Sequence, residues 1–116
     1  AVNSPDKIDS ILERVERLCM VGHTHVPGVF TDEPDFYPPP ELGEDCYRFG
    51  EGEKAIVNVG SVGQPRDHDA RASYVVLHPD RVEFIRVEYD IERTASLIKT
   101  IPQLHDWLGD RLLVGK

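Results

Sequence analysis

The chain has 116 residues, a mass of 13.1 kDa, and 13 Lys and Arg against 21 Asp and Glu, for a formal charge of -8. That length fits one domain at most, and 40% hydrophobic with 29% charged residues is ordinary globular composition, too apolar for a disordered chain. The acidic balance repels polyanions, because Lys and Arg neutralising phosphates supply most non-specific nucleic-acid affinity, so nucleic acid is not expected as a partner.

Taken in order, Ser4-Pro5 followed by Ile8, Ile11, Leu12, Val15 and Leu18 predicts an N-capped helix of about three turns with one apolar stripe. It leads directly into Leu18-Cys19-Met20-Val21, a run that suits a central strand buried on both faces and ended by Gly22. Asp32, Glu33, Asp35, Glu41, Glu44, Asp45, Glu51 and Glu53 mark the next stretch as a solvated excursion, and Pro38-Pro39-Pro40 within it favours a polyproline II segment. Ala55 to Val59 reads as a second buried, central strand running into the turn-rich Gly60-Ser61-Val62-Gly63-Gln64-Pro65. Ser73 to Leu77 and Val82 to Tyr89 read as strands joined by a hairpin turn at His78-Pro79-Asp80-Arg81. Asp90 caps a helix carrying Ala95, Leu97, Ile98 and Ile101, and Pro102 starts a final helix carrying Leu104, Trp107, Leu108 and Leu112. Helices interleaved with buried strands define an α/β fold class.

No run approaches the roughly 18 apolar residues of a spanning helix, so no membrane association is expected. Cys19 and Cys46 stand far apart without Cys-x-x-Cys spacing, and the chain opens with no basic then apolar leader, so a cytoplasmic, disulfide-free protein is expected.

The sharpest chemistry lies in Gly22-His23-Thr24-His25, directly after a strand. In extended chain residues two apart share a side, so His23 and His25 can converge on one ion or straddle two about 3.5 to 4 Å apart, and neutral imidazole is the commonest ligand for transition metals. Sites of open α/β sheets sit at the carboxyl ends of strands. The second feature is Asn58-Val59-Gly60-Ser61-Val62-Gly63-Gln64-Pro65-Arg66-Asp67, where glycines admit an anion to the backbone, Ser61 offers a hydroxyl and Arg66 a planar fork for phosphate. Either feature alone also fits a plain turn. Asp67-His68-Asp69 reads as solvated loop, and His78 and His105 as structural or exposed residues.

These segments together, Gly-His-Thr-His-Val-Pro, then Asn-x-Gly-Ser-Val-Gly-Gln-Pro-Arg-Asp, then Arg-Ala-Ser-Tyr and the closing strand and paired helices, resemble the C-terminal half of calcineurin-like metallophosphoesterases of bacterial and archaeal type. The resemblance covers residues 1–116 and implies the C-terminal half of a two-layer-sheet fold, a central β-sheet flanked by helices, with the N-terminal metal-binding half absent. It implies divalent metal ions, with Mn, Fe, Zn and Ni not distinguished, His23 and His25 as one ligand to each of two ions, and Asn58, Gly60, Ser61 and Arg66 along the phosphate pocket. The family's other ligand motifs (Asp-x-His, a bridging Gly-Asp, Gly-Asn-His-Asp or Glu, and a lone His) have no counterpart here, and Val59 replaces a common proline. Hydrolysis of phosphomonoesters or phosphodiesters by two-metal activation of water is thus the expected activity of the complete enzyme, and inactivity that of this chain alone. The partners implied are a phosphoester substrate and either the N-terminal half of the same domain or a second copy of the chain. The alternative is a catalytically silent module that folds alone or self-associates, using the acidic Pro38-Pro39-Pro40 stretch or its exposed sheet for partner binding.

Overall fold

A computed structural model describes residues 5–33 and 35–116. Ser4, expected as the first helix cap, lies outside them. The first helix, α1 (Pro5–Leu12), is two turns long and ends well before Leu18. Beyond Leu12 the chain tightens, with Arg14 N–H donating to Ile11 C=O and Val15 N–H to Leu12 C=O, while Lys54 Nζ also donates to Leu12 C=O at 3.3 Å and caps the helix end. The apolar stripe therefore continues past the point where the chain reverses toward the sheet.

Among the described residues seven strands follow, β1 (Leu18–Val21), β2 (Gly28–Thr31), β3 (Phe36–Tyr37), β4 (Cys46–Arg48), β5 (Ala55–Asn58), β6 (Ala72–Leu77) and β7 (Arg81–Val87). They form a mixed four-stranded sheet ordered β1-β5-β2-β3 and an antiparallel three-stranded sheet ordered β4-β7-β6. Val29, Ala55 and Val57 from the first sheet and Val82 and Phe84 from the second make one buried core with Phe49, with Leu18, Leu42, Tyr47 and Val75 packed against it. The two sheets thus lie face to face, each burying the alternate residues that its pleat turns inward.

β5 is central and buried at all four positions, as its apolar run predicts. β1 is not: it stands at the sheet edge, Val21 is only partly buried and Met20 is 39% exposed. An apolar run of four records burial but not the number of neighbours. The acidic stretch also departs from a solvated excursion, since β3 and β4 join the two sheets, and Pro39–Glu41 winds into a short 3-10 turn with Pro39 buried rather than a polyproline II segment. Cys19 and Cys46 are free thiols.

The β6–β7 hairpin forms as expected, closed by His78 N–H donating to Arg81 C=O at 2.8 Å. Helix α2 (Ile91–Lys99) is capped by the Asp90 carboxylate, which accepts from Arg93 N–H at 3.1 Å. Helix α3 (Trp107–Leu113) begins five residues after Pro102, leaving Leu104 in the connecting turn. Gly109 of α3 lies against Ala95 of α2 so closely that a Cβ there would meet the Ala95 carbonyl oxygen at 2.7 Å. Among the described residues no helix is long and apolar enough to cross a membrane.

Candidate functional site

Parallel pairing of β1 with β5, Val21 opposite Asn58, puts the carboxyl ends of both strands at one edge of the sheet. The two loops singled out in the sequence leave from that edge side by side. Val59 N–H donates to Val21 C=O at 3.0 Å where they part.

Asn58 is 3% exposed and joins them. Its Nδ2 donates to Gly22 C=O at 3.2 Å and to Thr24 Oγ1 at 2.7 Å, while its Oδ1 accepts from Gly60 N–H at 3.0 Å. Both amide hydrogens and an acceptor site are committed to the two loops. Gly60 takes φ +81°, and a Cβ there would meet Ser73 Oγ at 2.5 Å, so the turn admits only glycine. Ser73 holds the turn from β6, donating from N–H to Ser61 C=O at 2.9 Å and from Oγ to Val59 C=O at 3.2 Å. Ser61 Oγ accepts from Gln64 N–H at 2.9 Å and keeps its own hydroxyl hydrogen for donation. Arg66 is exposed, with Nη2 donating to Gln64 Oε1 at 3.1 Å.

His25 is half-buried and its Nδ1 lies 2.8 Å from Gln64 C=O. A carbonyl only accepts, so Nδ1 carries the hydrogen, and in the neutral ring Nε2 then keeps the lone pair, the arrangement by which an outer carbonyl orients a ligating imidazole. Arg66 N–H donates to His25 C=O at 3.0 Å, which closes the two loops on each other. His23 is exposed, and both histidines take positive φ, 75° at His23 and 63° at His25.

The donor set fits part of a metal centre. Two imidazoles are present, but among the described residues no group of three or more His, Cys, Asp or Glu side chains comes together to hold an ion. Two neutral ligands do not balance the charge of a divalent pair, which needs carboxylates.

Asp67-His68-Asp69, expected as solvated loop, is an ion-pair node instead. Asp67 and Asp69 side chains are 20% and 30% exposed and pair with Arg86 and Arg71. Hydrogen bonds from the Arg71 guanidinium hold the Asp69 carboxyl down at about 2, below its usual 3.8, against the opposing effect of burial. Arg86 is the residue that sequence reading missed, because nothing in a strand's apolar alternation reveals which distant loop one interspersed arginine will grip. His78 sits in the hairpin with Nε2 2.8 Å from Glu83 Oε2, and Asp110 of α3 pairs with Lys99 of α2.

No protein-family model matches the chain. It is 36% identical over 115 residues to an uncharacterized protein of Methanocaldococcus jannaschii, a match covering 97% of this chain and 44% of that protein. The crystal structure of a metallophosphoesterase from Sphaerobacter thermophilus superposes with a TM-score of 0.84 at 32% identity, covering all of this chain and 50% of that one. The chain thus spans about half the length of the relatives it matches, and its two-sheet α/β architecture is that of the C-terminal half of a metallophosphoesterase fold.

Proposed function

We propose that this chain contributes two imidazole ligands and an anion-facing loop to a divalent-metal phosphoesterase centre, whose carboxylate ligands come from a complementary N-terminal half domain. The observation that carries the reading is the bond from His25 Nδ1 to Gln64 C=O, which fixes the tautomer that leaves Nε2 as a ligand, on a loop bonded to the Ser61 turn. Bound divalent metal would supply Lewis acidity toward a phosphoryl oxygen and acidify a water molecule. His23 and His25 would hold such ions from one side. Ser61 Oγ–H and the Arg66 guanidinium are the donors available to non-bridging phosphate oxygens. Asn58 and Gly60, whose polar groups bond to each other and to the His23–His25 loop, position that machinery instead of touching substrate.

Shape supports the half-module reading. The radius of gyration is 16.0 Å, against about 13 Å for a compact chain of this length. The accessible surface is 7527 Å², against roughly 6400 Å² for a folded monomer of this mass. Both excesses are what a face or edge awaiting a partner produces.

The test is hydrolysis of a chromogenic phosphodiester in the presence of Mn²⁺ or Zn²⁺ by this chain, with and without a complementary N-terminal half. Turnover is expected only in the combination, and to disappear in His23→Ala and His25→Ala. Turnover unaffected by either substitution overturns the reading.

A further inference from the structure

The loop that orients His25 is anchored on its other side by the second sheet. Four consecutive residues carry the connection. Gln64 C=O accepts from the His25 ring, Pro65 is fully buried, Arg66 N–H donates to His25 C=O, and Asp67 Oδ2 accepts from Arg86 Nη2 on β7. The Arg86 side chain is 14% exposed. It also donates from Nη1 to Arg71 C=O at 3.1 Å and holds Nε 3.7 Å from Asp69 Oδ2. Asp67 Oδ1 is buried with no hydrogen-bond partner among the described residues, so Arg86 is the main compensation for that carboxylate's charge.

A ring held by a backbone carbonyl is only as well oriented as the carbonyl. We propose that the Asp67–Arg86 ion pair is a positioning device for His25, with Arg86 on one sheet fixing the tautomer and orientation of an imidazole carried by the other. Removing Arg86 leaves a largely buried, uncompensated carboxylate, which is strongly unfavourable. The loop relieves it by turning Asp67 outward to water, and the shift draws Arg66 N–H and Gln64 C=O away from His25. Lysine is a poor substitute, because one ammonium does not reach Asp67, Asp69 and Arg71 C=O together as the guanidinium fork does.

The consequence for metal binding rests on the reading of His25 as a ligand, whereas the positioning itself is read without metal. Long-range proton–nitrogen correlation on the ¹⁵N-labelled, metal-free chain reports the tautomer of each imidazole, with His78 and His105 as internal references. The native chain is expected to show neutral His25 as the Nδ1–H form. Asp67→Asn and Arg86→Gln are expected to show a mixture of both tautomers with the backbone spectrum otherwise retained, and Arg86→Lys an intermediate. Titration with Zn²⁺ alone should weaken about tenfold or more in the first two. A folded Asp67→Asn chain with His25 still wholly in the Nδ1–H form overturns the proposal, and this near-isosteric variant decides the matter if Arg86→Gln does not fold. Zn²⁺ affinity indifferent to His25→Ala, beside an intact tautomer effect, supports the positioning and sinks only the ligand reading.

Discussion

Asn58 shows how much of this edge depends on one amide. Its three hydrogen bonds tie the His23–His25 loop to the Gly60 turn from a position 3% exposed. Truncation removes the partner of Gly60 N–H, Gly22 C=O and Thr24 Oγ1, and each such hydrogen bond contributes about 0.5–1.5 kcal/mol net. Asn58→Ala is expected to lose about 2–4 kcal/mol in denaturant unfolding, and Asn58→Asp, which sets an unpaired carboxylate against Gly22 C=O at a buried position, at least as much. Native-like stability in Asn58→Ala would remove the amide from this role. Asp69 makes the neighbouring node sensitive to acid. Its carboxyl titrates at about 2 in the folded chain against 3.8 ordinarily, so the ion form stabilises the fold in full above about pH 4 and that contribution is lost as pH falls toward 2. The slope of stability against pH across that window should flatten in Asp69→Asn, and an unchanged slope would assign it to other carboxylates.

Elements were legible where local chemistry dominates. The β6–β7 hairpin follows from two β-branched and aromatic runs around Pro79-Asp80, and α2 from a capping aspartate at Asp90. What stayed hidden depends on partners distant in sequence. β3 pairs through only two residues, too few for any periodicity, and the edge position of β1 is set by topology. In the site, the glycine turn was readable because a positive φ restricts residue type, and the placement of both loops directly after strands was readable from the apolar runs that precede them. The Asp67–Arg86 pair spans 19 residues and joins two sheets, so no local pattern announces it. Packing of α2 against α3 makes the same point through Gly109. Alanine is the better helix former by about 0.8–1.0 kcal/mol, yet the Ala95 carbonyl occupies the space its Cβ needs. Gly109→Ala is therefore expected to destabilise by about 1–3 kcal/mol, read as a lowered Tm, and a raised Tm would show that the helices separate freely.

At the scale of the whole molecule the accessible surface of 7527 Å² exceeds the roughly 6400 Å² of a compact monomer of this mass. Among the described residues β1 pairs with β5 on one side only, Met20 on it is substantially exposed, and an open strand edge is a template for further pairing. Association is expected to rise with concentration in analytical ultracentrifugation and to be displaced by a complementary N-terminal half domain. A strict monomer at millimolar concentration, indifferent to that half, would contradict it.

The left-handed backbone at His23 and His25 has one more consequence, for how these positions respond to selection. A residue with a Cβ held there costs about 1–2 kcal/mol, which glycine escapes and asparagine tolerates. Glycine gives back about 0.5–1 kcal/mol through the freedom of the unfolded chain. His23→Gly and His23→Asn should thus leave Tm unchanged or raise it slightly, and a clear fall would show that His23 supports the fold. A library sorted for stability alone would drift away from histidine at position 23, while one sorted for metal retention in the complemented domain would keep it, so comparing the two enrichments separates what the fold needs from what the chemistry asks of it.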